Sequence, residues 1–470
     1  MEAEQFATSL EQGQFECLRN HSWLAVYLSL LVAGLIFMDD AELFAQLSVT
    51  FSSRDDVGKL WYRTVLRQME LSDFIGRPSL HVVQAIAILN LCSRHLGERQ
   101  RELTLTAIAI STAKSLKMHM LGNELSCPAR IRKMAQWSTQ PNRELGRRLW
   151  WSLVICDWLG AASRSPSIQV DHFDTELSDG AYDVVHLLGP TAIHQPFTSL
   201  PPISHHLAMA RLASIARTHF EANSRSLKNL KDTLAKVQQL ENQSPFVTPL
   251  TFEPSTVLPI WAIGQRYHFF FTLNLLRLRL CRVLFQTNVE ILDEGYEALR
   301  QCALSAAIAI SDNTEFPYIY KKTWIFASAT IAAGVFLALD TLKHRRTQSS
   351  VRTEQQKQRI MSCISTITPY ATITTISRGG SIVLGQLLNK LEQAESGIQS
   401  VDIMQSILKM GCGSVPSGQT PGQDESAGSV TGFQGQSNPQ LPNELLDNEL
   451  PIIDWNIFED WSLLSGDVLF

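Results

Sequence analysis

No C-x-x-C pair occurs anywhere in this chain of 470 residues, although it has eight cysteines: Cys17, Cys92, Cys127, Cys156, Cys281, Cys302, Cys363 and Cys412. Scattered thiols, several inside apolar runs, point to reduced intracellular cysteines and exclude a disulfide framework or a zinc-finger array. A phosphate cradle is missing as well. Residues 380–387, GSIVLGQL, keep two glycines at P-loop spacing, but Gln386 and Leu387 stand where a lysine and a magnesium-binding hydroxyl are required. Residues 379–383, GGSIV, lack the second glycine of a nucleophile elbow, because Val383 takes its place. The acid pairs Asp39–Asp40 and Asp55–Asp56 have no third acid one turn later, where Leu43 and Lys59 stand, so no aspartate-rich magnesium helix is completed. His205 and His206 have no partner at i+4, and His172, between Asp171 and Asp174, reads as a surface residue rather than a base.

Positive charge is absent from the C-terminus. All 40 Lys and Arg lie at or before Lys409, whereas Asp424, Glu425, Glu444, Asp447, Glu449, Asp454, Glu459, Asp460 and Asp467 follow it. Of the 45 acids, 36 therefore remain in the body, which carries +4 against −9 in the tail. Such asymmetry marks an interaction tail. Basic runs are short: RIRK at 130–133, the arginines 147 and 148, and KHRR at 343–346. None is interleaved with aromatics, so the chain by itself is not expected to hold DNA strongly.

What is present is helical periodicity. Apolar positions recur at helical spacing through residues 20–400, and the prolines fall mainly between runs. The pattern predicts helices over 22–38, 58–72, 79–96, 101–118, 143–161, 203–242, 257–286, 293–311, 318–343 and 353–395. The alternating stretch LTLTAIAIS at 103–111 would suit a strand equally well. Residues 23–38 are apolar but fall short of the roughly 18 to 20 residues of a membrane span, and are read as a core helix with no membrane partner. Leu227, Leu230, Leu234, Val237 and Leu240 repeat over only two heptads and read as an internal seam rather than a coiled coil. Residues 162–202 form a long polar crossing, and 411–443 a Gly/Ser/Gln/Pro linker with little to bury. Beyond it, residues 444–470 interleave acids with Trp455, Phe458 and Trp461, the composition of acidic segments that deliver bulky side chains to an apolar groove. A C-terminal helix packed on the body is the other reading.

The stretch GRRLWWSLVICDW at 146–158 concentrates the chemistry. Glu144 and Arg148 are one turn apart and able to pair. On a helix Trp150, Leu153, Val154 and Asp157 share one face, while Trp151, Ile155 and Trp158 cover another, and a helix apolar nearly all round is buried. A buried carboxylate at Asp157 costs several kcal/mol unless a cation or backbone amides reach it. Arg164, just past the helix end, is the candidate cation, making a clasp between helix and loop for architecture rather than acid catalysis.

These residues also carry a resemblance. ELGRRLWWSLVICDWLGAASRSPSI is similar to the signature of the fungal-specific transcription factor domain, the middle homology region of binuclear zinc-cluster regulators. In that family an Arg-Arg-x-Trp-Trp run leads to a buried Asp, then a Gly-Arg-Pro turn and an acidic loop. Arg147, Arg148, Trp150, Trp151, Asp157, Arg164 and Pro166 match by position, with Asp171 and Asp174 in the acidic loop. Ser163 replaces the glycine of the turn, and Ser165 is inserted before the proline. The stretches 78–89 and 104–121 resemble the two preceding helices, and the whole likeness spans about 20–395.

The resemblance implies an all-α protein: an N-terminal segment (1–20), a helical regulatory domain (21–400), the linker (411–443) and an acidic-aromatic activation segment (444–470). It implies a nuclear transcriptional regulator, of a secondary-metabolism or catabolic pathway, that is not an enzyme. Expected partners are transcription machinery or a coactivator at the tail, a homo- or heterodimer mate and a small-molecule effector. The family reads DNA with an N-terminal six-cysteine cluster holding zinc, yet only Cys17 precedes Cys92 here. No cofactor is expected unless such a cluster exists, so DNA reading is expected to be truncated, lost or supplied by a partner. An all-helical enzyme of secondary metabolism is the alternative.

Overall fold

The computed structural model describes Thr8 and residues 19–37, 54–160, 165–177, 203–221, 227–244, 260–285, 294–313, 318–344, 348–371 and 374–395. Among these the structure is helical throughout, with short 3-10 turns and no strand. In chain order the main helices are α1 (His21–Phe37), α2 (Arg54–Leu71), α3 (Leu80–Cys92), α4 (Arg99–Ser115), α5 (Gln140–Leu159), α6 (Ile203–Glu221), α7 (Leu227–Gln243), α8 (Ile260–Leu280), α9 (Glu294–Asp312), α10 (Trp324–Lys343), α11 (Ser350–Ile367) and α12 (Thr375–Glu395). The alternating stretch 103–111 lies inside α4 and is helical. Strict alternation there is overridden by packing: Leu105, Ala109, Ile110 and Ala113 are buried at helical spacing.

Three expected helices are divided. The single run 203–242 is two helices, α6 and α7, which pack on one another through His219 Nδ1 and Thr233 Oγ1 at 3.1 Å. The run 353–395 breaks at the 3-10 turn Thr368–Tyr370, because Pro369 has no N–H to continue the ladder. The run 318–343 is a one-turn helix, Tyr318–Lys321, followed by α10, whose N-cap Thr323 is extended at φ −72° and ψ 139°. The seam on α7 is internal, with Leu230, Leu234, Val237 and Leu240 all buried. The linker 411–443 and the tail 444–470 lie outside the described residues.

Packing follows the chain. α1 lies on α2 and α3; α5 lies on α3, α4 and α6; α8 and α9 lie against α10, which α11 and α12 cover. One continuous apolar core runs from Ala25 in α1 to Leu391 in α12. Its centre is α10, buried from Ile325 to Leu342 with few gaps. By length and composition α10 is also long and apolar enough to cross a membrane, but most of it is enclosed by other helices. α1 is shorter and buries Trp23, Ala25, Val32, Leu35 and Ile36.

The start of α10 meets the turn between α3 and α4 at His95. The Trp324 N–H donates to His95 Nε2 at 3.3 Å, and the Arg94 guanidinium lies 4.0 Å from the Trp324 ring centroid. Arg94 is itself held by Glu102 at 2.8 Å. Burial pushes the His95 imidazole down to about 4, so it is a neutral acceptor.

Candidate functional site

The site is built on α5. Thr139 caps its N-terminus by accepting from the Asn142 N–H at 3.4 Å, and Pro141 sits in the first turn, where its missing N–H costs nothing. The helix then divides into an ionic half and an aromatic half.

In the ionic half the arginines face inward. Arg143 Nη1 donates to the Trp137 and Ser138 carbonyls at 2.7 and 3.1 Å, and its other nitrogens grip Glu124. Arg147 bridges Glu124 at 2.9 Å and Glu144 at 3.2 Å, and Arg148 donates to Glu144 at 2.7 Å, the predicted i+4 pair. Arg147 is only 4% exposed, so it is no phosphate-binding surface. Burial raises the Glu124 carboxyl, but hydrogen bonds from Arg143 and Arg147 outweigh it and hold the group below its ordinary value. Gly146 lets the helix approach Trp137: a Cβ there would lie 2.7 Å from the indole Cζ3 and from Leu121 Cδ1.

In the aromatic half Trp150, Leu153, Val154 and Asp157 are all buried, as their shared face requires. Trp151 Nε1 donates to the Thr175 carbonyl at 3.0 Å, and Trp158 Nε1 to the Ile168 carbonyl at 2.9 Å. Phe173 sits among all three indoles, with ring centroids 5.6 Å from Trp150, 5.6 Å from Trp151 and 6.1 Å from Trp158. The segment 165–177 thus wraps α5 and is tied along 118–122. Thr175 Oγ1 donates to the Met118 carbonyl at 2.6 Å and accepts from the Leu121 N–H at 3.0 Å. From α6, Arg217 lies 5.1 Å above the Trp158 ring and donates to Gln169 at 2.9 Å.

Asp157 ends this half. Its Oδ2 accepts from the backbone N–H groups of Ser167 and Ile168 at 2.7 and 2.8 Å. Two amides from the returning loop therefore meet the carboxylate. Arg164 lies outside the described residues, as do Trp455, Phe458 and Trp461. His172, Asp171 and Asp174 are exposed. The candidate glycine motifs at 379–387 are turns of α12, where Gly380 packs against Ile331 and Gly334 of α10 against Leu384. Asp56 is exposed near the start of α2, and Asp39 and Asp40 are outside the described residues. Among the described residues no three His, Cys, Asp or Glu side chains converge to hold a metal ion.

A second ionic centre went unseen in the sequence. Arg300 of α9 grips Asp340 of α10 in a fork, Nε to Oδ1 at 2.6 Å and Nη2 to Oδ2 at 2.9 Å, with His344 Nδ1 3.2 Å from Oδ1. Burial works against that charge, but hydrogen bonds from His344 and Arg300 take the carboxyl down to about 2. Glu124, Phe173, Thr175 and Arg217 were missed for the same reason: each reaches its partner from another element, with no helical spacing to reveal it.

This arrangement of inward arginines, twin indoles and an amide-held acid wrapped by an acidic loop falls within a segment matched by a family model. Residues 7–179 match the fungal specific transcription factor domain. Over that segment the chain is similar to this family's domain. The match covers α1 to α5 and the wrapping segment, and α6 to α12 lie beyond it although they share its core. No curated protein matches the chain.

Proposed function

We propose that this protein is a nuclear regulator of transcription rather than an enzyme, in which the helical body controls output and residues 444–470 contact transcription machinery or a coactivator. The observation that carries the reading is the transcription factor domain at 7–179, whose signature helix is used for architecture. Buried charges on α5 are spent on one another and on backbone, and the tail's −9 charge with interleaved Trp455, Phe458 and Trp461 suits an acidic activation segment. DNA is reached through a zinc-cluster module or a homo- or heterodimer partner that supplies one. A small-molecule effector acting on the body, and target genes of a secondary-metabolism or catabolic pathway, complete the proposal.

The tail is tested by fusing residues 440–470 to a foreign DNA-binding domain. The fusion switches on a reporter gene, and replacing Trp455, Phe458 and Trp461 together with alanine abolishes the signal. A silent intact fusion, expressed and nuclear, removes the activation role.

A further inference from the structure

The segment that wraps α5 opens with a Ser-Pro step at Ser165 and Pro166. Serine or threonine stands before proline at four other positions in the chain, Ser244, Thr248, Thr368 and Thr420. Thr248 and Thr420 lie outside the described residues. Ser244 is buried just past the end of α7, and the Thr368 hydroxyl, in a 3-10 turn, donates to the Ile364 carbonyl at 2.7 Å. Ser165 differs from both, being exposed and outside any helix. Pro166 pushes it out of the helical region into extended backbone, the shape in which a kinase groove takes a substrate segment.

Two residues on, the chain is pinned to α5. The N–H groups of Ser167 and Ile168 donate to Asp157 Oδ2 at 2.7 and 2.8 Å, and the Ile168 carbonyl accepts from Trp158 Nε1 at 2.9 Å. A phosphate on Ser165 brings a charge of about −2 beside this contact. Two residues of chain span at most about 7 Å, and the Debye length at physiological salt is about 8 Å, so salt screens the charge incompletely. Asp157 is fully buried, and the end of α5 at Leu159 adds the partial negative charge of its last carbonyls. A seryl oxygen also reaches the N–H two residues ahead in an ST-turn, so the phosphate competes with Asp157 for the Ser167 amide. Repulsion and competition weaken the same contact.

Independently of the transcriptional reading, we propose that Ser165 is the acceptor of a proline-directed serine/threonine kinase, and that its phosphate loosens residues 165–168 from the C-terminal end of α5. The Ser165 Oγ attacks the γ-phosphorus of magnesium-bound ATP, the bond from that phosphorus to the bridging oxygen breaks, and ADP leaves. The hydroxyl proton passes to the kinase's own base. The far end of the wrapping segment stays tied, because Thr175 holds the Met118 carbonyl and the Leu121 N–H. The release is therefore local.

The experiment incubates the intact folded chain with a purified proline-directed kinase and magnesium ATP, and maps phosphate by mass spectrometry. Ser165 is expected to be modified ahead of Ser244 and Thr368, and both Ser165→Ala and Pro166→Ala should remove the signal at that position. Hydrogen exchange at single amides then compares the phosphorylated and untreated wild-type chain. The Ile168 amide is expected to exchange about tenfold faster once phosphorylated, as the loss of a charge-assisted acceptor requires, with the Leu121 amide unchanged. The wild-type comparison decides even if a variant folds poorly. Modification of Ser244 or Thr368 while Ser165 stays bare, or equal Ile168 exchange in the two forms, overturns the proposal.

Discussion

At Asp157 a buried carboxylate answers two backbone N–H groups of the returning loop, so its removal is felt through what it leaves behind. Asp157→Ala strands the buried Ile168 amide, and leaves the Ser167 amide, at an exposed residue, without its acceptor. At about 1 to 3 kcal/mol for an unmet buried donor, the body should lose about 2 kcal/mol of stability, while Asp157→Asn, which keeps one acceptor, should lose less. Chemical denaturation measures both; a loss under about 1 kcal/mol for the alanine variant would show that the carboxylate has no structural task. The clasp by Arg164 remains our proposal, and Arg164→Ala is expected to cost a comparable amount; an unchanged midpoint removes it. Part of this was legible in the sequence. The burial of Trp150, Leu153, Val154 and Asp157 followed from their shared face, and the Glu144–Arg148 pair from its spacing of four. Glu124 was not legible, since it meets Arg143 and Arg147 from a loop 19 and 23 residues away.

On the scale of one helix, the same substitution should have opposite signs in α5 and α12. Alanine is the better helix former by about 1 kcal/mol, because glycine loses more backbone freedom on folding. Gly385 faces open space, so Gly385→Ala should stabilise by about 0.5 to 1 kcal/mol. At Gly146 the new methyl would meet the rigid, fully buried Trp137 indole, and overpacking of about 1 to 3 kcal/mol outweighs the propensity gain. Paired thermal melts check the reversal; equal signs would mean that Trp137 yields freely. Helix existence was readable from periodicity, yet helix ends were not. The division of 203–242 into α6 and α7 carries no proline, whereas Pro369 was present in 353–395 and its break is a local consequence of the missing N–H.

Across the whole molecule, buried neutral histidines set the response to acid. Burial pushes His95 and His268 down to about 4, and His206 reaches about 4 by burial with Arg148 adding to it. From the ordinary 6.5 down to about 4 the unfolded chain therefore binds protons that the folded chain refuses. Stability is full above pH 6.5 and falls as pH drops, with each of the three adding a slope of up to about 1.4 kcal/mol per pH unit. Asp340, taken down to about 2 from 3.8, adds its own loss below pH 3.8. Denaturant titrations at pH 7, 6 and 5 should show a steady decline, and His95→Gln should flatten it; a pH-independent midpoint over that range would contradict neutral burial.

Sequence by itself determined the class of the molecule: apolar residues at helical spacing make helices whose stripes must be buried, and GRRLWWSLVICDW marks one that is buried nearly all round. It also separated an acidic terminus from a nearly neutral body, because charge is a sum over residues and needs no coordinates. Tertiary structure alone decided which groups answer the buried charges. Glu124 against two arginines, the Ser167 and Ile168 amides against Asp157, and Arg300 against Asp340 are contacts between elements, set by how helices dock and loops return. No spacing along the chain encodes them.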